Sequence, residues 1–214
     1  VSLELEAKKH TPLDGTDAII DYQHIGTSGS ELDKIDVILV TTTKNKIKDH
    51  SEIVNSSGYK VPTYDADPIA LSNIYQHSYD IPEKGADVIL NIGHTSTTLV
   101  VWGKESSFFT REIEIGGHQI NQSIIQNMNI DYSTATDLKE KKGVNAFESK
   151  PEEETEENIG IAIEKKTIFN ELVEEIRKTL RFYMKKNSQS FFNTFYLSGG
   201  CATIPGLKEF IGSN

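Results

Sequence analysis

The chain has 214 residues, 36% apolar and 25% charged, with nine Phe, eight Tyr and one Trp, a composition that supports a packed interior and excludes a disordered polyampholyte. Its 22 Lys and Arg against 32 Asp and Glu give a formal charge of −10, which speaks against nucleic-acid binding through a broad phosphate-neutralising surface. With a single cysteine, Cys201, no apolar run near the roughly 20 residues of a membrane span and no signal peptide, the reading is a cytosolic protein that meets membranes only through partners.

In chain order, Val1 to Lys9 alternates apolar and polar residues, and Ala18 to Ile25 carries strand formers again. Residues 35–43 form a β-branched run that leads into a helix over 44–57, closed by Gly58. Tyr59 to Tyr64 resembles a further strand. Pro68 opens a helix from Ile69 to about His77, with Asp67 placed to cap it.

Three strands follow over 86–91, 97–102 and 107–115, joined by loops so short that an antiparallel meander is expected. Gly116-Gly117 then starts a helix over 118–128, and Ser133 caps a second one ending near Lys142. The Glu-rich stretch 145–158 reads as a solvated linker. Apolar residues at Ile168, Leu172, Ile176, Leu180 and Met184 mark the buried stripe of a long helix within 161–186. The chain finishes with a short strand at Phe195-Tyr196-Leu197, a turn at Ser198-Gly199-Gly200, and a helix opened by Pro205. Beginning on Val1 and stopping soon after that turn, the sequence looks like a piece truncated at both ends.

Three glycine corners carry the chemistry. Asn91-Ile92-Gly93-His94-Thr95-Ser96-Thr97-Thr98 lies between two strands, where backbone amides and small hydroxyls can converge on phosphate oxygens. The same residue types also fill ordinary β-turns. At Ile115-Gly116-Gly117-His118-Gln119 a strand gives way to a helix whose first amides can face an anion. At Ser198-Gly199-Gly200-Cys201-Ala202 the glycines can bring backbone alongside a flat nucleoside, or simply turn a strand into a helix. Cys201 has no histidine or cysteine beside it in sequence, and no histidine or acidic spacing suggests a metal site.

In this order, with two helices and then the long helix between the second and third corners, the motifs resemble the superfamily of actin, Hsp70, sugar kinases and FtsA. Within it the chain is most similar to the PilM family of type IV pilus assembly proteins. The residues that carry this are Asp21-Tyr22-Gln23, VILVTTTKNKI at 37–47, DADPIAL at 65–71, NIGHTSTTLVVW at 91–102, FTREIEIGGHQI at 109–120, Ala135-Thr136-Asp137-Leu138-Lys139, and LSGGCATIPGLKEFI at 197–211.

The resemblance implies an α/β, actin-like (ribonuclease H-like) two-lobed fold with a small inserted subdomain. Residues 1–64 would be that FtsA/PilM-type subdomain and 65–85 a return to the first lobe. Residues 86–214 would form the second lobe, with a helical and acidic insertion at about 133–160. It also implies a nucleotide site built by Asn91, Gly93, His94, Thr95, Ser96, Thr97, Gly116, Gly117, Gln119, Lys139, Gly199, Gly200, Cys201 and Ala202, holding ATP or ADP with Mg2+.

Two departures qualify this. Asn91 stands where the family has aspartate, and an amide can neither hold a metal-bound water by charge nor act as a base, which weighs against hydrolysis. The first phosphate hairpin of the family would lie upstream of Val1. The implied role is a scaffold rather than an enzyme, in which nucleotide sets the angle between lobes. Its implied partners are the cytoplasmic N-terminal tail of a PilN-like inner-membrane protein, paired with an edge strand, and the pilus motor ATPase. A filament-forming division protein like FtsA and a small-molecule kinase are the alternatives.

Overall fold

The computed structural model describes residues 17–27, 35–104, 106–149, 167–187 and 191–214. The chain divides into two compact units, Val1–Ala66 and Asp67–Asn214.

In the first unit, β1 (Ala18–Thr27) and β2 (Ile35–Thr43) pair antiparallel, with a bulge between His24 and Gly26. Helix α1 (Lys44–Ser56) follows β2 directly, because the Thr43 hydroxyl accepts from the Lys46 amide and caps the helix. Gly58, at φ +86, closes it. Tyr59 to Tyr64 is not a strand: it finds no ladder partner among the described residues. Its Tyr64 hydroxyl instead donates to the Ile47 carbonyl and lies 2.5 Å from Ser51 Oγ, pinning the segment to α1. Val1 to Lys9 lies outside the described residues.

The second unit is built on a four-stranded sheet in the order β5-β4-β3-β6. Strands β3 (Ala86–Ile92), β4 (Thr97–Gly103) and β5 (Ser106–Ile113) form the expected meander. The last strand, β6 (Phe192–Ser198), lies parallel to β3 on its other side.

Helix α2 (Asp67–Ser78) precedes the sheet; α3 (Gly117–Met128), α4 (Tyr132–Lys142), a 3-10 turn (Gly143–Ser149) and α5 (Ile168–Asn187) separate β5 from β6. Helix α6 (Leu207–Ser213) ends the chain. The cap of α4 is Asp131 rather than Ser133. Its carboxylate accepts from both the amide and the hydroxyl of Thr134, which holds the group below the ordinary aspartate range. Most of the Glu-rich stretch and the start of the long helix, residues 150–166, lie outside the described residues.

The period-2 geometry of β3 divides the packing. Ala86, Val88, Leu90 and Ile92 face the main core with Ile120 and Ile124 of α3 and Phe169, Leu172, Ile176 and Tyr183 of α5. Ile89 faces the other way, with Val100, Tyr75 and Leu71, so α2 belongs to this sheet. With both faces covered, β3 reads as an almost continuous apolar run. Each fully buried side chain of this size contributes about 1.5–3 kcal/mol of transfer free energy.

One buried charge interrupts the smaller core. Asp87, 3% exposed, accepts from the Tyr75 hydroxyl on one oxygen and from the Thr194 amide on the other. Burial, then the bond to Asp87, pushes the Tyr75 phenol up. The carboxylate thus ties α2, β3 and β6 together.

Candidate functional site

The three glycine corners converge on the carboxyl end of β3, which is also the carboxyl end of the parallel strand β6. In open α/β sheets, crevices form where parallel strands end.

The β3–β4 hairpin closes with the Gly93 amide donating to the Ser96 carbonyl at 2.9 Å. The start of α3 is bonded onto it: the Gly117 amide donates to the Gly93 carbonyl at 2.9 Å and the His118 amide to the His94 carbonyl at 2.7 Å. From the third corner, the Cys201 amide donates to the Ile92 carbonyl at 3.0 Å and its thiol lies 3.4 Å from the Gly93 carbonyl. One carbonyl, that of Gly93, is therefore shared by two of the corners.

Such contact leaves no room for side chains. A Cβ on Gly116 would sit 2.7–2.8 Å from the His94 carbonyl, the Ser96 amide and the Gly93 carbonyl. A Cβ on Gly117 would sit 2.7 Å from Cys201 Sγ and 3.5 Å from Lys139 Nζ. Gly199, at φ +86, has its missing Cβ directed at the Ile92 carbonyl and the Asn91 side chain, so both backbone shape and space demand glycine.

The α3 amides are not all open, in contrast to the sequence expectation. Those of Gly117 and His118 are consumed by the hairpin carbonyls, and that of Gly116 donates to Gln119 Oε1. Gln119 is thus a cap, binding its own helix end. Thr97 is fully buried with its hydroxyl donating to the Ile115 carbonyl, and the Ser96 hydroxyl donates to Glu112. These residues brace the corner. His94 and Thr95 project at the exposed hairpin tip, and Gly199 and Gly200 are exposed, with nothing within 4 Å of a Cβ on Gly200. Ala202 turns the loop, its amide donating to the Gly199 carbonyl.

Lys139 supplies the charge. It is 9% exposed on α4, its ammonium pointing at the Gly117 corner, and no carboxylate pairs with it among the described residues. A buried cation without an anion is costly unless a ligand completes it. The ammonium also acts on Cys201, whose thiol is pushed up by burial while Lys139 and the Gly117 amide pull it back. That thiol is a packing element, not a nucleophile.

Sequence reasoning missed two features. Asn121, 1% exposed, donates to the Thr136 hydroxyl and fixes α3 against α4, which positions Lys139. His118 stands beside His94, the ring centroids 5.6 Å apart. Both arise from helix and hairpin pairing, and no local spacing announces either.

A meander joined to a parallel strand, with glycine corners gathered at the strand ends, defines an actin-like α/β protein. The model of the family described as "Type IV pilus assembly protein PilM" matches residues 1–214, and the chain belongs to that family. Among solved structures, a PilM-PilN type IV pilus biogenesis complex aligns at TM-score 0.73 and 20% identity, covering 99% of this chain and 57% of that one. The ethanolamine utilization protein EutJ from Carboxydothermus hydrogenoformans aligns at TM-score 0.51 and 16% identity, covering 76% of this chain and 51% of that one. This chain therefore spans little more than half the length of the proteins it matches.

Proposed function

We propose that this chain is part of a cytoplasmic actin-like scaffold of the type IV pilus inner-membrane platform, and that its glycine corner binds ATP or ADP. The observation that carries the nucleotide reading is the buried Lys139 ammonium, without a carboxylate partner among the described residues, at the point where three glycine corners interlock. Phosphate oxygens would meet that ammonium and the hairpin-tip amides of His94 and Thr95, while the open face of Gly199 and Gly200 suits a flat nucleoside. Mg2+ would arrive with the phosphates and its own waters. Asn91 offers it no charge, so turnover would be slow or absent.

A PilN-like tail is the partner this reading favours, because the solved structure aligned over nearly the whole chain is a PilM-PilN complex. In the first unit β1 and β2 form a two-stranded ladder, and each strand has an unpaired edge among the described residues. An extended peptide adds to such an edge through main-chain hydrogen bonds. The pilus motor ATPase would be a second partner, and attachment to the inner membrane would run through these proteins.

The test is calorimetric titration of the full-length protein with ATP and ADP in the presence of Mg2+. Lys139→Met keeps the side-chain length and removes the charge, and should weaken binding at least about tenfold, as expected for loss of one charge-assisted contact of about 1.5–3 kcal/mol. Absence of nucleotide binding, or equal binding by the variant, overturns the nucleotide reading. Capture by an immobilised PilN tail peptide checks the partner separately.

A further inference from the structure

We propose that His94 and His118 together form a chelating site for one divalent transition-metal ion of the zinc, nickel or copper type, at the mouth of the glycine corner. The two residues come from different elements, the β3–β4 hairpin and the first turn of α3. Their backbones are locked in register by the His118 amide donating to the His94 carbonyl and by the neighbouring bond from Gly117 to Gly93. This lock makes the pair a feature of the fold.

The rings lie 5.6 Å apart, centroid to centroid, tilted by 54°. Two imidazoles on one tetrahedral zinc, with Zn–N about 2.1 Å, place their centroids roughly 5 Å apart. Tyr132 stands beside His118 at 6.1 Å and limits the ring's freedom. Neither imidazole takes part in a hydrogen bond or ion pair among the described residues, so no protein group competes with a ligand for either ring. His94 is exposed and His118 half-buried, which leaves an entry path.

Imidazole nitrogen selects zinc, copper and nickel over magnesium and calcium, which prefer oxygen. No third His, Cys, Asp or Glu completes a ligand set among the described residues. With two protein ligands where catalytic zinc sites have three, the remaining positions go to water or to an anionic oxygen. A bound ion would fasten the hairpin tip to α3 and place a dication beside the corner, where Asn91 brings none. The site stands whether or not nucleotide binds, because both ligands and their backbone lock are present without it.

The experiment is a competition titration of the full-length protein with ZnCl2 and NiCl2 against a chromophoric chelator, without nucleotide. The expected result is one ion per chain. His94→Asn and His118→Asn should each weaken binding about a hundredfold, since a single imidazole loses the effective concentration of the second. The double variant should bind at least as weakly as either single one, and His77→Asn should match the unaltered protein. Binding no tighter than in the double variant overturns the proposal, as does a single variant that binds like the parent. Should a variant fail to fold, electron paramagnetic resonance of the unaltered protein with one equivalent of Cu2+ decides the matter. Two coupled imidazole nitrogens support the site, and one or none refutes it.

Discussion

Replacing Gly116 by alanine tests the interlocked corner directly. The residue has φ −146, an extended backbone that alanine adopts freely, so the substitution carries no conformational strain. It even stabilises by about 0.4–1 kcal/mol through the unfolded chain. Against this, the new methyl meets three backbone atoms, the His94 carbonyl, the Ser96 amide and the Gly93 carbonyl, all at 2.7–2.8 Å. Backbone on both sides cannot rotate away, so hairpin and α3 must separate and stretch the Gly117–Gly93 and His118–His94 hydrogen bonds. Overpacking of this kind costs about 1–3 kcal/mol, and two weakened hydrogen bonds add about 1 kcal/mol each. The net loss is about 2–5 kcal/mol, which for a unit of this size lowers the melting temperature by roughly 4–20 °C. The internal control is Gly200→Ala, where a Cβ meets nothing within 4 Å and the melting temperature should hold or rise slightly. Thermal unfolding followed by circular dichroism compares the two. If Gly116→Ala melts with Gly200→Ala, the corners are not interlocked.

Tyr75→Phe deprives the buried Asp87 carboxylate of one of its two partners. A hydrogen bond to a charged group is worth about 1.5–3 kcal/mol, and urea unfolding should show a loss of that size with an unchanged m-value. Leu172→Ala, at a position 1% exposed in the main core, should cost about 2–5 kcal/mol in the same assay. For Asp131 the folded-state pKa is lowered by Thr134, so its cap contributes stability above the ordinary aspartate pKa. That contribution fades as pH falls through the lowered one. Asp131→Ala should therefore be less stable than the parent at neutral pH, with the gap closing in acid; a gap that widens instead contradicts the cap.

The three-strand meander was legible because its strands alternate or run apolar between short glycine loops, and both signals act over a few residues. The glycine corners were legible as local turns. Their convergence had to be read from the order of motifs, because the contacts joining Gly93, Gly117 and Cys201 span the chain. Tyr59 to Tyr64 shows the limit: its β-forming residues suit a strand, but without a ladder partner among the described residues the Tyr64 hydroxyl decides where it lies. At Asp131 the stronger cap won over Ser133 two residues later, a choice of ±2 residues typical of helix ends. The packing of α2 on the sheet runs through the Tyr75 bond to Asp87, a carboxylate that Thr194 also holds, and nothing near residue 75 foretells that partner. His118 was passed over for the same reason.

The parallel pairing of β3 with β6 bears on how the chain reaches its native state. Thr194 meets Asp87 across 107 residues, whereas the β3–β4–β5 meander closes over neighbours. Contacts distant in sequence must overcome more loop-closure entropy than local ones, and β6 reaches β3 only across the length of chain that holds α3, α4 and α5. Cys201 follows β6 by three residues, and docking that strand is what carries it to Gly93. The third wall of the crevice thus rests on the strand pairing most distant in sequence, whereas the hairpin and the start of α3 meet through contacts within about one supersecondary unit.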